Sequence, residues 1–286
     1  MKYWVLYFFA IFAGLLIMPI IASNSMATEE SPKISVFIGG ETKEISIEEY
    51  TLRVLIANNA ACENAESKKA LAVSARSCAT YFSVYGCKHD EFDACDDGNC
   101  CIKLGSPEDI NRETFSELLS VCEETKGEIL TLDSMPAIAL FTRCASKGTR
   151  QCEEFPYLIP VPEATRCETH KTECEYEIEN ELGSLLGNTE EHPPYLVFNE
   201  NEKCELAILG GNIIDGNEVA TLLSLPTTEF LLTIEESTLN ATCYGIGHGY
   251  GLNLCGADML AENGMDYKNI LKHYYPKLEI NKIYNN

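Results

Sequence analysis

From Trp4 to Ser23 the chain reads WVLYFFAIFAGLLIMPIIAS, twenty residues without a charge. At about 1.5 Å of rise per residue such a run can cross a hydrocarbon core of roughly 30 Å, which predicts a transmembrane helix within residues 1–27. Lys2 precedes the run and Glu29 and Glu30 follow it, an order that places the N-terminus in the cytoplasm and the rest outside. The small residues Ala22, Ser23 and Ser25 also suit a cleaved signal peptide. Either reading sends residues 28–286 across the membrane.

Beyond the linker at 24–33 the pattern changes. ISVFI at 34–38 reads as a strand that turns at Gly39-Gly40. Ser46 and Glu49 have capping-box spacing, and Ile47, Tyr50, Val54 and Ala57 recur at helical intervals, predicting a helix over 47–57 that stops at Asn58-Asn59. A second helix is predicted from Asn64 to Phe82. Its middle is small (Ala70, Ala72, Ser74, Ala75, Cys78, Ala79), which lets another backbone approach closely. Residues 83–104 form a cysteine-rich loop and 113–124 a helix. EILTL and AIALF, either side of Ser134-Met135-Pro136, read as strands, as do 205–209 and 229–234. The acidic stretch 150–205 predicts an ordered but irregular insertion, with disulfides among Cys152, Cys167, Cys174 and Cys204 as candidate staples. A glycine-rich turn lies at 245–251. Asp266 caps a last helix carrying Tyr267, Ile270, Leu271 and Tyr274 on one face before Pro276.

Composition narrows the partners. A net charge of −23 over 286 residues makes nucleic acid an unsuitable partner, because phosphates are repelled. Fourteen cysteines point to disulfides outside the cytosol or to a metal site.

Three segments resemble the stage II sporulation protein D (SpoIID) and LytB amidase-enhancer family. Glu48 to Arg76 is similar, without a gap, to its paired-helix motif: Glu49, Tyr50, Val54, Ala57, Glu66, Lys69, Ala70, Ala72, Val73, Ala75 and Arg76 match. HDEFDACDDGNCC at 89–101 resembles a loop of clostridial members. GIGHGYGLNLCGADMLAENGMDYKNILKHYY at 245–275 resembles the motif that contains GHG. The resemblance implies an α+β fold, with paired helices on mixed strands beside the N-terminal transmembrane helix. It also implies a single-pass membrane protein whose extracytoplasmic domain acts in peptidoglycan remodelling and engulfment during sporulation. The implied partners are glycan strands, wall amidases and other engulfment proteins.

The family's members are lytic transglycosylases or amidase enhancers. A transglycosylase needs one carboxyl group, which first protonates the glycosidic oxygen and then assists ring closure by the sugar's own hydroxyl. The register places Asn58 where the resemblance puts that glutamate, and an amide has no proton to give near neutral pH. The resemblance puts Thr142 at the family's histidine and Leu254 at its glutamine. The scaffold residues match while the chemical ones do not, which reads as a catalytically degenerate member that binds glycan or partners. Two alternatives stay open: Glu63 or Glu66 as a displaced acid, and an amidase activator without chemistry of its own. Arg76, Gly247, His248, Gly249 and Asn253 are the candidate groove residues.

His89, Cys95, Cys100 and Cys101 have the chemistry of a structural tetrahedral zinc site, and the resembling loop implies the same positions. Disulfides among Cys87, Cys95, Cys100, Cys101 and other cysteines are the competing reading. His170, His192 and His273 have no ligand spacing around them.

Overall fold

The computed structural model describes residues 31–98, 100–163, 170–177, 195–198, 204–235 and 238–284. Strand β1 (Lys33–Ile38) turns at Gly39 and Gly40, both at positive φ, into β2 (Glu41–Ser46). Two consecutive residues at positive φ match the right-handed twist of a tight hairpin, and glycine reaches that conformation without steric cost. A short third strand, β3 (Ala94–Cys95), pairs in parallel with β1 and completes a three-stranded sheet.

Helix α1 (Ile47–Ala57) has the predicted bounds. The Ser46 hydroxyl accepts from the Glu49 amide at 3.0 Å, but the reciprocal half of the capping box is replaced. The Glu49 carboxylate turns forward one helical turn to Arg53, at 2.9–3.0 Å. The next helix, α2 (Ala65–Tyr85), starts from an Asn64 cap and runs through the middle of the molecule, with Ala70 to Thr80 buried without interruption. A helix buried on all faces must satisfy its own polar groups. Accordingly the hydroxyls of Ser74, Ser77 and Thr80 donate to carbonyls one turn back, at 2.6–2.9 Å. Its small side chains admit α1, α3 (Arg112–Glu124), strand β4 (Glu128–Leu132), α5 (Leu254–Glu262) and α6 (Tyr267–Tyr274) at close range. The core built around it also takes in Leu252, Tyr274 and Tyr275.

The predicted strand at 137–141 contracts to β6 (Phe141–Thr142), which pairs in parallel with β13 (Leu252–Asn253). Met135–Pro136 forms β5 against β4, whose other edge carries β14 (Glu279–Lys282). A second, smaller apolar cluster gathers Ala207, Leu209, Val219, Phe230, Leu239 and Cys243. These come from β9 (Cys204–Leu209), helix α4 (Gly216–Leu222), β11 (Phe230–Glu235) and β12 (Thr238–Tyr244). Strands β7 (Lys171–Glu177), β8 (Tyr195–Phe198) and β10 (Asn212–Asp215) flank it. The insertion at 150–205 thus contributes strands to sheets, where its sequence shows no clear period.

The expected class, α+β with a transmembrane helix, needs correction. Six α-helices and five small sheets of parallel and antiparallel pairs interleave along the described chain, giving a mixed α/β fold. Parallel pairs arise because β3 and β13 return beside their partners after long crossovers. No described helix is long and apolar enough to cross a membrane. The segment expected to do so, residues 1–27, lies outside the described residues. Nor is 150–205 stapled by cystines among the described residues: Cys152, Cys174 and Cys204 are free thiols, Cys152 and Cys204 lie in different apolar clusters, and Cys167 is not among the described residues.

Candidate functional site

A cleft of about 580 Å³ opens where the C-terminal end of α1, the outer end of α2, the cysteine loop and the GHG loop converge. Asn58 lines it from the first of these. As the C-cap residue its backbone amide closes the last turn of α1, and its side-chain Nδ2 donates to the Val54 carbonyl at 2.9 Å. The amide end is therefore spent on the helix terminus, where carbonyls lack partners.

The GHG loop lines the opposite wall with Gly247 and His248. Thr142, where the resemblance puts a histidine, holds this loop. Its hydroxyl donates to the Ile246 carbonyl and accepts from the Gly249 amide, both at 3.2 Å. Gly247 sits at φ +105°, and a Cβ there would stand 2.5 Å from the Thr142 Oγ1, so only glycine fits. His248 Nδ1 accepts from the Tyr250 amide at 3.0 Å, which puts the proton of the neutral ring on Nε2. The Arg150 guanidinium covers the Tyr250 ring at 4.4 Å and donates to the His248 carbonyl.

Aromatic rings form much of the floor. Tyr81 packs against Tyr85 at 4.7 Å and edge-on to Phe155 at 5.9 Å. Burial, and then the nearby Glu154 carboxylate, raise the Tyr81 phenol above its ordinary range. Three cations, Lys88, Lys103 and Arg143, face the cleft against one carboxylate among the described lining residues, Glu154. The local balance is thus opposite in sign to the whole chain's −23.

Several sequence candidates lie elsewhere. Arg76 has no exposed surface. Its guanidinium forks onto Glu48 at 2.8 and 3.0 Å and donates to the Glu128 carbonyl at 3.1 Å. It is a strut inside the core, because burying a charge requires a partner close at hand. Asn253 is also buried, exchanging hydrogen bonds with the backbone of Ala145 and donating to Glu163. Gly249 is buried behind Thr142. Leu254, where the resemblance puts a glutamine, is a core residue at the start of α5 and fills the interior. Glu66 accepts from the Tyr267 amide at 2.8 Å and pairs with Lys69, while Glu63 meets Asp258 through its backbone amide. Neither lines the cleft. Glu154 does, and sequence reading passed over it because no motif or period surrounds it.

His89, Cys95, Cys100 and Cys101 come together, with one ligand atom of each within 4.8 Å of the others. The His89 Nε2 stands 3.4 Å from the sulfurs of both Cys100 and Cys101. A tetrahedral zinc ion, with bonds of about 2.3 Å to sulfur and about 2.0 Å to nitrogen, separates such ligands by about 3.6 Å. One acidic side chain ties the loop to β1 and another closes the loop on itself. Asp93 accepts from the Ser35 amide and Asp96 from the Leu104 amide, both at 2.9 Å. The backbone amides of Cys100 and Cys101 both donate to the Asp97 carbonyl.

Burial governs the groups around the donor set. The Tyr50 hydroxyl is buried with no hydrogen-bond partner among the described residues, and Cys78, Cys101, Cys87 and Cys95 act on it electrostatically. Burial first, and then those thiols, push its pKa well above the usual phenol range, so it remains a donor. Burial and the adjoining Cys95 and Cys87 likewise drive the Cys101 thiol far up. A divalent cation reverses that preference. Cys87 lies 3.7 Å from Cys101, sulfur to sulfur, which keeps it as a competitor for the same position.

Residues 40–132 match the family model described as SpoIID, stage II sporulation protein. Over that stretch the chain is similar to the SpoIID family. Stage II sporulation protein D of Bacillus amyloliquefaciens is 23% identical over 180 aligned positions, covering 59% of this chain. The protein of that name from Bacillus subtilis strain 168 is 22% identical over 284 positions, covering 91% of this chain. The chain spans about half the length (52%) of the first relative and 83% of the second. The SpoIID match contains Asn58, Arg76 and the cysteine loop, while the GHG wall of the cleft lies beyond it.

Proposed function

We propose that this chain is a sporulation protein of the SpoIID family that binds cell-wall glycan in the cleft without cutting it, outside the cytoplasm. The observation that carries the reading is Asn58: an amide, already committed to the end of α1, stands where the family's acid is expected. The rest of the cleft supports binding. Aromatic rings offer faces for sugar rings. The excess of lysine and arginine in an acidic protein suits a polymer that bears carboxylates. General acid–base catalysis contributes typically 10²–10⁴-fold, so its loss leaves a binder. Such a binder would also suit stimulation of a wall amidase or docking in an engulfment assembly.

The test is incubation of the purified chain with peptidoglycan sacculi. It is expected to sediment with them and to release no anhydro-muropeptides. One observation favours a second reading: Glu154 brings a carboxylate to the cleft. Anhydro-muropeptides that appear with the wild type and vanish with Glu154→Gln would move the assignment to a transglycosylase with a displaced acid. Release of stem peptides only when an amidase is added would assign activation.

The loop cluster of His89, Cys95, Cys100 and Cys101 is proposed as a structural zinc site. It would hold residues 87–103 as one wall of the cleft and couple metal to local folding.

A further inference from the structure

Cys144, His170 and Cys255 lie far apart in sequence, and none has a neighbour at ligand spacing. The fold brings one ligand atom of each within 4.8 Å of the others. The Cys255 sulfur stands 3.6 Å from the His170 Nδ1. That separation equals the sulfur-to-nitrogen edge of a tetrahedral zinc site, about 3.6 Å from its bond lengths. We propose that these three side chains form a second binding site, distinct from the cysteine loop, for a thiophilic divalent metal ion of the zinc class.

The backbone holds the three together without help from an ion. Cys144 and Ile246 exchange amide hydrogen bonds at 2.9 and 3.0 Å. The next residue back, Gly245, donates to the His170 carbonyl at 3.0 Å, and the Cys255 amide donates to the Arg143 carbonyl at 3.2 Å. Gly245 makes this junction feasible. It lies at φ +92°, and a Cβ there would stand 2.4 Å from the Cys144 carbonyl oxygen. Ligands fixed this way need little reorganisation to close on an ion, which favours affinity.

The chemistry of the set is selective. Two sulfurs and an imidazole suit zinc-like ions and disfavour calcium or magnesium, which prefer oxygen. Cys255 occupies the first turn of α5, where the helix dipole favours a thiolate. On binding, each thiol releases its proton to solvent, and two thiolates with a divalent ion make a neutral complex. Among the described residues three side chains supply ligands, and a tetrahedral ion takes one more. The site ties the start of α5 to the roots of two cleft segments. Cys144 follows Thr142 and Arg143, and Ile246 precedes Gly247 and His248.

Cadmium is the probe, because sulfur-to-cadmium charge transfer absorbs in the ultraviolet and each bound ion gives its own ¹¹³Cd resonance. The full-length Cys95→Ala chain, prepared reduced, should still bind about one equivalent of Cd²⁺ with that absorbance. Adding Cys255→Ser should abolish it, and His170→Gln in place of Cys255→Ser should weaken binding at least about tenfold. Near-UV circular dichroism checks that each variant is folded. If Cys95→Ala misfolds, the wild type decides: two ¹¹³Cd resonances are expected, one of them lost in Cys255→Ser. A folded Cys95→Ala chain that takes up no Cd²⁺, or a wild type with one resonance that survives Cys255→Ser, overturns the proposal. So does a Cys144–Cys255 disulfide that forms in preference to metal uptake when both are offered.

Discussion

At the scale of single residues, a guanidinium without exposed surface is stable only while its donors are occupied. Arg76 meets that condition through Glu48 and the Glu128 carbonyl. Truncation in Arg76→Ala strands the Glu48 carboxylate and should cost about 3–5 kcal/mol, measured by urea unfolding. Pairing Arg76→Met with Glu48→Leu should recover most of that loss. Recovery would mark the pair as a strut, whereas unimpaired stability of Arg76→Ala would contradict the buried geometry. Thiol reactivity belongs to the same scale. Burial pushes Cys62, Cys78 and Cys122 up to about 12. At pH 8 these thiols are protonated and shielded, so the folded chain should leave them unalkylated and denaturant should expose them, as peptide mass mapping would record. Arg76 had been read as a groove residue because its motif position gives no depth. Charge in a sequence says nothing about burial until the packing around it is known.

Individual elements were legible where local chemistry decides them. The Ser46, Asn64, Asn111 and Asp266 side chains each accept from a first-turn amide; of these Ser46 and Asp266 were legible as caps, while the Asn111 cap was not. Asp266→Ala should lower stability by about 1 kcal/mol, and Asp266→Asn by much less, in the same unfolding assay. Short strands were harder. β6 and β13 are two residues each, too brief to show alternation, and exist because each finds the other. The cysteine loop stands between these cases. Its ligand types were visible, but its anchoring aspartate, Asp93, needed β1 beside it. Chelation of bound zinc should speed amide hydrogen exchange across 87–104 while α2 remains protected. Uniform protection with and without chelator would argue against a metal-dependent loop.

For the molecule as a whole, the sign of the cleft's charge against that of the chain gives a measurable consequence. Glycan binding should weaken several-fold in Lys103→Glu and Arg143→Glu, and fall as salt screens the cleft, followed by co-sedimentation with sacculi. Binding indifferent to both changes would remove the cleft from the glycan path. Asn58→Ala should weaken binding less, since one end of that amide already serves its own helix. The absence of an acid at position 58 was legible in one dimension. The arrival of Glu154 in the same cleft was not.

Caps, helical periods, glycine turns and the choice of ligand-forming side chains are fixed within a few residues of chain, so the sequence alone determined them. Which charges are buried, which carboxylate reaches the cleft and which distant thiols meet around His170 depend on contacts between segments as far apart as 144 and 255. Those contacts form only when the small-residue helix α2 lets its neighbours close around it. Tertiary structure decided them, because distance along a chain carries no information about distance in space until the core is packed.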